Sequence, residues 1–270
     1  MKQNAPIGVF DSGVGGLTVV KEIMKALPKE SIIYYGDTAR VPYGSKSAET
    51  VTAYSRQIAR FLMSQEVKAI VVACNTASAL ALETIKEEFE VPFVGVVKPG
   101  AKMAAQATKN KKIGIIATEG TISSGVYEKF LKITNPEVEV FGKACPLFVP
   151  LTEEGWLEDA VTKQVAERYL SELKEKQVDA LVLGCTHYPL LRGVIGDVMG
   201  SGVTLVNPAY ETAKELRYVL EDNCLLTDTN TVPVHKFYVS DGAEKFRRFA
   251  NSILPCDHLE VEDVAVKCFE

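Results

Sequence analysis

The stretch Val67-Lys-Ala-Ile-Val-Val-Ala-Cys-Asn-Thr-Ala-Ser-Ala79 decides the fold, because a short apolar run in it ends on a cysteine. Residues 69–73 predict a strand buried on both faces, and the small residues after Thr76 predict the start of a helix. Cys74 lies at the junction between the two. Because ligands bind beyond the carboxyl ends of parallel strands, we expect this thiol to face a crevice.

The same pattern occurs a second time, in Val178-Asp-Ala-Leu-Val-Leu-Gly-Cys-Thr-His-Tyr188. Cys185 follows Cys74 by 111 residues, and the segment at Ile113 resembles the segment at Ile7 with an offset of 106. An internal duplication explains both offsets. We predict an α/β fold of two similar doubly wound parallel-sheet domains related by pseudo-twofold symmetry, with the active site in the cleft between them.

Strands and helices alternate along most of the chain, as is typical of such sheets. The pattern predicts a helix that starts in the glycine-rich segment 13–16 and runs to Leu27, and a strand over 92–97. After Pro208 it predicts a helix, a strand and a helix. The residues alone leave open which half of the chain this last segment joins.

Composition excludes several classes of protein. The formal net charge is -5 and no concentrated basic run is present, so a nucleic-acid binder is not expected. The chain has no long apolar run and no signal segment at its N-terminus, so we expect no membrane association and a cytoplasmic location. The six cysteines lack CxxC spacing and the three histidines do not cluster, which predicts reduced thiols and no metal site.

Two matched thiols indicate acid–base chemistry. If they lie on opposite faces of one carbon, a thiolate can remove a proton while the other thiol returns one from the other side, which inverts a stereocentre. One thiol must then be ionised and the other protonated, so neighbouring groups have to tune them. Asp11 and His187 are the candidates for these neighbours.

Each candidate residue also has a plain structural interpretation. A single buried cysteine is commonly structural, and the matched repeat is what favours a catalytic role for Cys74 and Cys185. Asp11 could be a helix cap, and His187 could bond within a first turn. The remaining alternatives are a simple turn at residues 42–44, helix capping by Asn75, Thr76 and Thr186, and first-turn acids of a following helix at Glu153 and Glu154.

Five motifs, in this order, closely resemble the glutamate racemases of the aspartate/glutamate racemase family: Asp11-Ser-Gly-Val-Gly-Gly-Leu17, Tyr35-Gly-Asp37 with Pro42-Tyr-Gly44, Ala73-Cys-Asn-Thr-Ala-Ser78, Ala117-Thr-Glu-Gly-Thr121 and Gly184-Cys-Thr-His-Tyr-Pro189. The resemblance implies interconversion of L- and D-glutamate without a cofactor, supplying D-glutamate for peptidoglycan, and hence for cell-wall synthesis and cell shape. It also implies that Cys74 acts on the D-enantiomer and Cys185 on the L-enantiomer.

The resemblance extends to other residues and to the domains. It implies that Asp11, His187 and Glu153 assist the thiols, and that the substrate is held by Asp11, Ser12, Tyr43, Gly44, Asn75, Thr76, Thr118, Thr121, Thr186 and His187. The family fold returns the C-terminal segment to the first domain, so we predict one domain of residues 1–97 plus 208–270 and another of residues 98–207. We further predict a homodimer. Asn207 departs from the acid that relatives are expected to carry there.

Three other functions remain open on the sequence. An aspartate or other amino-acid racemase would differ in substrate, which a panel of amino acids decides. A cysteine hydrolase or amidase would use one thiol as a nucleophile and form an acyl-enzyme, leaving the second thiol unexplained. A non-catalytic binding protein would bind glutamate without turnover.

Overall fold

Strands and helices alternate through the chain. The computed structural model describes residues 3–229, 231–255, 259–266 and 269. The first part of the chain contains β1 (Ile7–Asp11), α1 (Leu17–Ala26), β2 (Ile32–Gly36), α2 (Ala48–Ser64), β3 (Ala69–Val72), α3 (Asn75–Leu80), α4 (Leu82–Ile85), β4 (Phe93–Gly95) and α5 (Val97–Ala107). The second contains β5 (Lys112–Ala117), α6 (Glu119–Ser123), α7 (Val126–Thr134), β6 (Glu139–Ala144), α8 (Phe148–Glu153), α9 (Ala160–Glu175), β7 (Ala180–Gly184), α10 (Arg192–Met199) and β8 (Thr204–Val206). The chain ends with α11 (Pro208–Asp222), β9 (His235–Val239), α12 (Ala243–Ile253) and β10 (Val261–Asp263).

The strands form two parallel sheets. One has six strands in the order β10-β9-β2-β1-β3-β4, and the other has four in the order β6-β5-β7-β8. All their pairings are parallel. The four strands β2-β1-β3-β4 thus repeat the order of β6-β5-β7-β8, which supports the duplication. The predicted fold class is confirmed.

Helices cover both faces of each sheet because the strands are apolar on both faces. Alternate residues of one strand enter different cores: Val9 and Val71 lie in one cluster, whereas Phe10 and Val72 lie in the other. The four-stranded sheet likewise separates two further clusters. This double burial fixes the register of β3 and β7, and with it the position of the residue that follows each strand.

The C-terminal strands β9 and β10 extend the six-stranded sheet beside β2. The helices α5 and α11, through which the chain passes from one sheet to the other, pack on each other, and α11 also packs on α1. We call the six-stranded sheet with its helices the first half and the four-stranded sheet with its helices the second half. The exact domain boundaries at 97/98 and 207/208 stay a prediction.

Three predicted elements differ from the structure. Helix α1 begins only at Leu17, because the preceding glycine-rich loop wraps around a carboxylate. Strand β4 is shorter than 92–97, since Val97 already begins α5 with Pro99 in its first turn, where a missing N–H is tolerated. Glu153 ends α8 and does not precede the first turn of a helix; α9 begins at Ala160, capped by Asp159.

The expectations about thiols, metals and membranes also involve residues that the structure does not describe. Cys256, His258 and Cys268 lie outside them. The four described cysteines, 74, 145, 185 and 224, are free thiols. Among the helices that the structure describes, none is both long enough and apolar enough to cross a membrane.

Candidate active site

A cleft between the carboxyl ends of the two sheets brings most of the predicted residues together. It is lined by Ser12, Val41, Pro42, Tyr43, Gly44, Cys74, Asn75, Thr76, Thr118, Val149, Glu153, Cys185, Thr186 and His187. Its volume is ≈ 30 Å³, which is room for about two water molecules. An amino acid can therefore enter only if the walls move apart. A cavity of ≈ 580 Å³ adjoins the cleft and shares Val41 and Glu153 with it.

Cys74 lies two residues after the end of β3, at the strand–helix junction that the sequence predicts, and it is the N-cap of α3. Its sulfur accepts the backbone N–H of Ala77 at 3.5 Å and lies 3.8 Å from the hydroxyl oxygen of Ser12. Burial, reinforced by the negative charge of Asp11, raises the pKa of the Cys74 thiol to about 12. Cys74 is therefore protonated at neutral pH.

Cys185 follows β7 and lies next to a cation. The Nδ1 atom of His187 is 3.8 Å from the Cys185 sulfur, and its Nε2 is 3.1 Å from a carboxylate oxygen of Glu153. Burial opposes a charge on the imidazole, but the bonds to Cys185 and Glu153 outweigh it and raise the pKa of His187 to about 10. The bond to His187 in turn lowers the pKa of Glu153. At neutral pH an imidazolium thus adjoins the Cys185 sulfur.

The surroundings of the two thiols are not identical. Cys74 is the N-cap of α3, whereas the helix after Cys185 begins three residues later, as a 3₁₀ turn at Tyr188. His187 bonds to the Cys185 thiol and to the carboxylate of Glu153, which lies at the end of α8. The structural interpretation of His187, a bond confined to the first turn, therefore does not describe it.

Asp11 lies behind the cleft wall and does not line the cavity. Its Oδ2 accepts the N–H groups of Gly13 at 3.1 Å and Gly16 at 3.0 Å, and its Oδ1 accepts the Thr186 hydroxyl at 3.3 Å. Burial raises the pKa of Asp11, while the charge of His187 and these hydrogen bonds act against the rise. Asp11 therefore orders the loop before α1 and also contacts the segment that carries Cys185.

Three threonine hydroxyls form a triangle at one end of the cleft. Thr76 Oγ1 is 2.9 Å from that of Thr118 and 3.2 Å from that of Thr121, and the last two are 3.0 Å apart. Thr121 lies behind the other two and does not line the cavity. Hydroxyls in this arrangement can donate hydrogen bonds to a carboxylate.

The turn at residues 42–44 crosses the cleft. It follows a cis peptide bond between Val41 and Pro42 and forms a 3₁₀ turn over Tyr43–Ser45. The Tyr43 hydroxyl donates to Asp37 at 2.5 Å, which anchors the turn in the first half. Gly44 packs against the second half: a Cβ there would lie 2.5 Å from that of Thr118.

Besides Val41, which precedes the predicted turn, three residues at or near the cleft were missed by the sequence analysis. Val149 supplies an apolar wall. Thr18 and Tyr127 lie just outside the lining and hydrogen-bond to lining residues. All three lie on helices, where an apolar residue, a threonine or a tyrosine gives no pattern distinct from ordinary packing.

Two alike parallel sheets that place two thiols in one cleft have the arrangement that a two-base amino-acid racemase requires. Residues 7–216 match the family model described as Asp/Glu/Hydantoin racemase. The chain belongs to this family, and within it to the glutamate racemases.

The similar proteins support this assignment over nearly the whole chain. A glutamate racemase from Geobacter metallireducens is 56% identical over 92% of this chain and 92% of its own. The crystal structure of glutamate racemase from Francisella tularensis in complex with D-glutamate superimposes with a TM-score of 0.91 at 40% identity, covering 98% of this chain and 99% of that one. A glutamate racemase isoform from Bacillus anthracis gives a TM-score of 0.93 at 41% identity, covering 97% and 98%. Family membership favours a racemase over a hydrolase or a binding protein.

Proposed function

We propose that this protein interconverts L- and D-glutamate by a two-base mechanism in which Cys74 and Cys185 transfer the protons. One observation carries the proposal: thiols from equivalent strand ends line one cleft and have different charged neighbours. The pKa of Cys74 is about 12, whereas an imidazolium adjoins Cys185. The relatives named as glutamate racemases support the choice of substrate.

In this mechanism a Cys185 thiolate removes the α-proton of L-glutamate. The electron pair that is left on the α-carbon is delocalised into the carboxylate, and the Cys74 thiol donates its proton to the opposite face. D-glutamate leaves with Cys185 protonated and Cys74 ionised, and the reverse reaction starts from that state. Because the two thiols supply both proton transfers, the proposal needs no cofactor and no metal.

The polar groups of the cleft would hold the two carboxylates of the substrate. Hydroxyls of Ser12, Thr118 and Thr186 and the amide of Asn75 line it, together with the backbone of the turn that contains Gly44. Such donors stabilise the negative charge that develops on the α-carboxylate as the proton leaves. Thr76 belongs to the same set. Asp11 and Thr121 would support these groups from behind the cleft wall. Glu153 would act by holding the charge on His187.

The test is racemisation in deuterated buffer, followed by proton NMR and circular dichroism. The mechanism predicts deuterium at the α-carbon of the enantiomer formed from either L- or D-glutamate, and loss of racemisation in Cys74→Ala and in Cys185→Ala. Cys145→Ala is the matched control, since it removes a buried thiol that does not line the cleft. Full racemisation by either catalytic-thiol variant would refute the two-base mechanism.

The wider role is part of the proposal. We propose that the protein acts in the cytoplasm as a homodimer, without nucleic-acid or membrane partners, and that its D-glutamate enters peptidoglycan, with residues 1–97 plus 208–270 and 98–207 as its two domains. Depletion in the source cell should then produce a growth defect that added D-glutamate relieves. Light scattering coupled to gel filtration measures the oligomeric state. A substrate panel that includes aspartate tests specificity.

A further inference from the structure

Each thiol-bearing segment receives a hydrogen bond from a helix of the opposite half. Tyr127, on α7 of the second half, donates its hydroxyl to Oδ1 of Asn75 at 2.6 Å. Thr18, on α1 of the first half, has its hydroxyl 3.1 Å from the backbone oxygen of Thr186. Asn75 and Thr186 are the residues directly after the two catalytic cysteines. The two bonds therefore join the halves in opposite directions, beside the lining of the cleft.

The two contacts correspond to each other through the internal duplication. Thr18 is the second residue of α1, and Tyr127 is the second residue of α7. They are 109 residues apart, and their partners Asn75 and Thr186 are 111 apart, close to the 106 that separates β1 from β5. The two contacts differ in chemistry, since one reaches a side-chain amide and the other a backbone carbonyl, but they join corresponding positions of the two copies.

The bond from Tyr127 fixes which way the Asn75 amide points. Both side chains are buried, and the tyrosine ring lies under the strand that leads to Cys185: a Cβ at Gly184 would be 3.4 Å from its ring. Because Oδ1 accepts from Tyr127, the NH₂ group of Asn75 remains to donate toward the cleft that Asn75 lines. Without the hydroxyl, the amide has no such restraint.

The bond from Thr18 acts on the other segment. Its hydroxyl is also 2.9 Å from the backbone oxygen of Gly15. A single proton is therefore shared between an acceptor in the preceding loop and an acceptor in the opposite half. The Thr186 carbonyl belongs to the peptide that leads into His187. Its orientation therefore affects where the imidazolium lies relative to Cys185.

We infer that Tyr127 and Thr18 are positioning residues that form a crossed clasp, which places the segment beside each thiol only when the two halves are closed. The cleft is too small for an amino acid in the closed arrangement, so the halves separate to admit substrate and each clasp bond must reform before proton transfer. This inference rests on the proposed racemase function. It assigns Tyr127 to the Cys74 side and Thr18 to the Cys185 side.

The variants Tyr127→Phe and Thr18→Val remove one clasp bond each. We expect kcat/KM to fall about tenfold, the equivalent of about 1.4 kcal/mol. The fall in kcat/KM must be equal for L- and D-glutamate, because a substitution does not change the equilibrium between them. We expect the fall to appear in kcat, with KM little altered. Matched controls are Tyr35→Phe, whose hydroxyl bonds to Val264, and Thr212→Val, whose hydroxyl bonds within α11; both should retain activity.

Primary isotope effects with α-deuterated substrates separate the two sides. Tyr127→Phe should slow proton transfer at Cys74. It should therefore raise the isotope effect on the reaction of D-glutamate, whose deuterium Cys74 removes, and lower the isotope effect on the reaction of L-glutamate. Thr18→Val should do the reverse. Equal shifts for both enantiomers, or activities like those of the controls, would overturn the inference.

A double-mutant cycle tests the clasp independently of activity. The changes that Tyr127→Phe and Asn75→Ala cause in the urea midpoint should be non-additive. The double variant should be no less stable than the less stable of the two single variants. Additive midpoints would overturn the clasp even in an active enzyme. If the wild-type protein does not racemise glutamate but the cycle is non-additive, the proposed function fails and the contact stands.

Discussion

The charge on His187 gives the sharpest test of the site, through the variant Glu153→Gln. The carboxylate of Glu153 is 3.1 Å from the imidazole, and its side chain is only 24% exposed, so solvent screens the pair weakly. A hydrogen bond to a charged group contributes about 1.5–3 kcal/mol, which corresponds to about 1–2 pKa units. Removing the charge should therefore lower the pKa of His187 from about 10 to about 8–9.

Histidine-selective NMR titration from pH 6 to pH 10.5 measures this shift directly. Glu154→Gln is the matched control, because the neighbouring carboxylate is exposed and makes no bond to the imidazole. In the wild type the imidazolium stabilises the folded protein fully below pH 6.5, and this contribution is lost as the pH rises toward 10. In Glu153→Gln the contribution should be smaller and its loss should be complete at a lower pH, because only the folded-state pKa of His187 falls. An unchanged His187 titration in Glu153→Gln would refute the claim that this carboxylate helps to hold the charge.

Two further substitutions test a buried ion pair before the amino ends of β2 and β3 and the packing of the turn at the cleft. Lys68 is fully buried and pairs with Glu30 at 2.5 Å, so Lys68→Met should lower the free energy of unfolding in urea by about 3–5 kcal/mol because it leaves a buried carboxylate unpaired. The double variant with Glu30→Leu should recover most of this loss; no recovery would mean that the pair acts through something other than charge. Gly44→Ala should reduce kcat/KM by about a hundredfold (about 2.7 kcal/mol) with little change in fold, since its Cβ would meet Thr118 at 2.5 Å. Gly193→Ala, whose Cβ would meet nothing within 4 Å, should leave kcat/KM unaltered.

The sequence predicted the positions of the thiols because each follows a strand whose register is fixed by burial on both faces. A continuous apolar run is a local property, so β3 and the location of Cys74 could be read from thirteen residues. Glu153 was placed at the wrong end of a helix, since an acid in a helical pattern suits a first or a last turn. The contacts of Thr18 and Tyr127 could not be predicted at all. They depend on how the two halves face each other, which no spacing along the chain encodes.

The duplication gives the two thiols equivalent positions but not equivalent neighbours. Thr76 occupies the place, 111 residues earlier, that His187 occupies beside Cys185. A hydroxyl cannot supply the positive charge that an imidazolium supplies, and the charge of Asp11 further disfavours a thiolate at Cys74. The two thiols share a single proton in the proposed mechanism. If their environments were identical, this proton would lie equally often on either sulfur. In the proposed mechanism the asymmetry places it on Cys74, so the resting enzyme is ready for L-glutamate and must move a proton before it can act on D-glutamate.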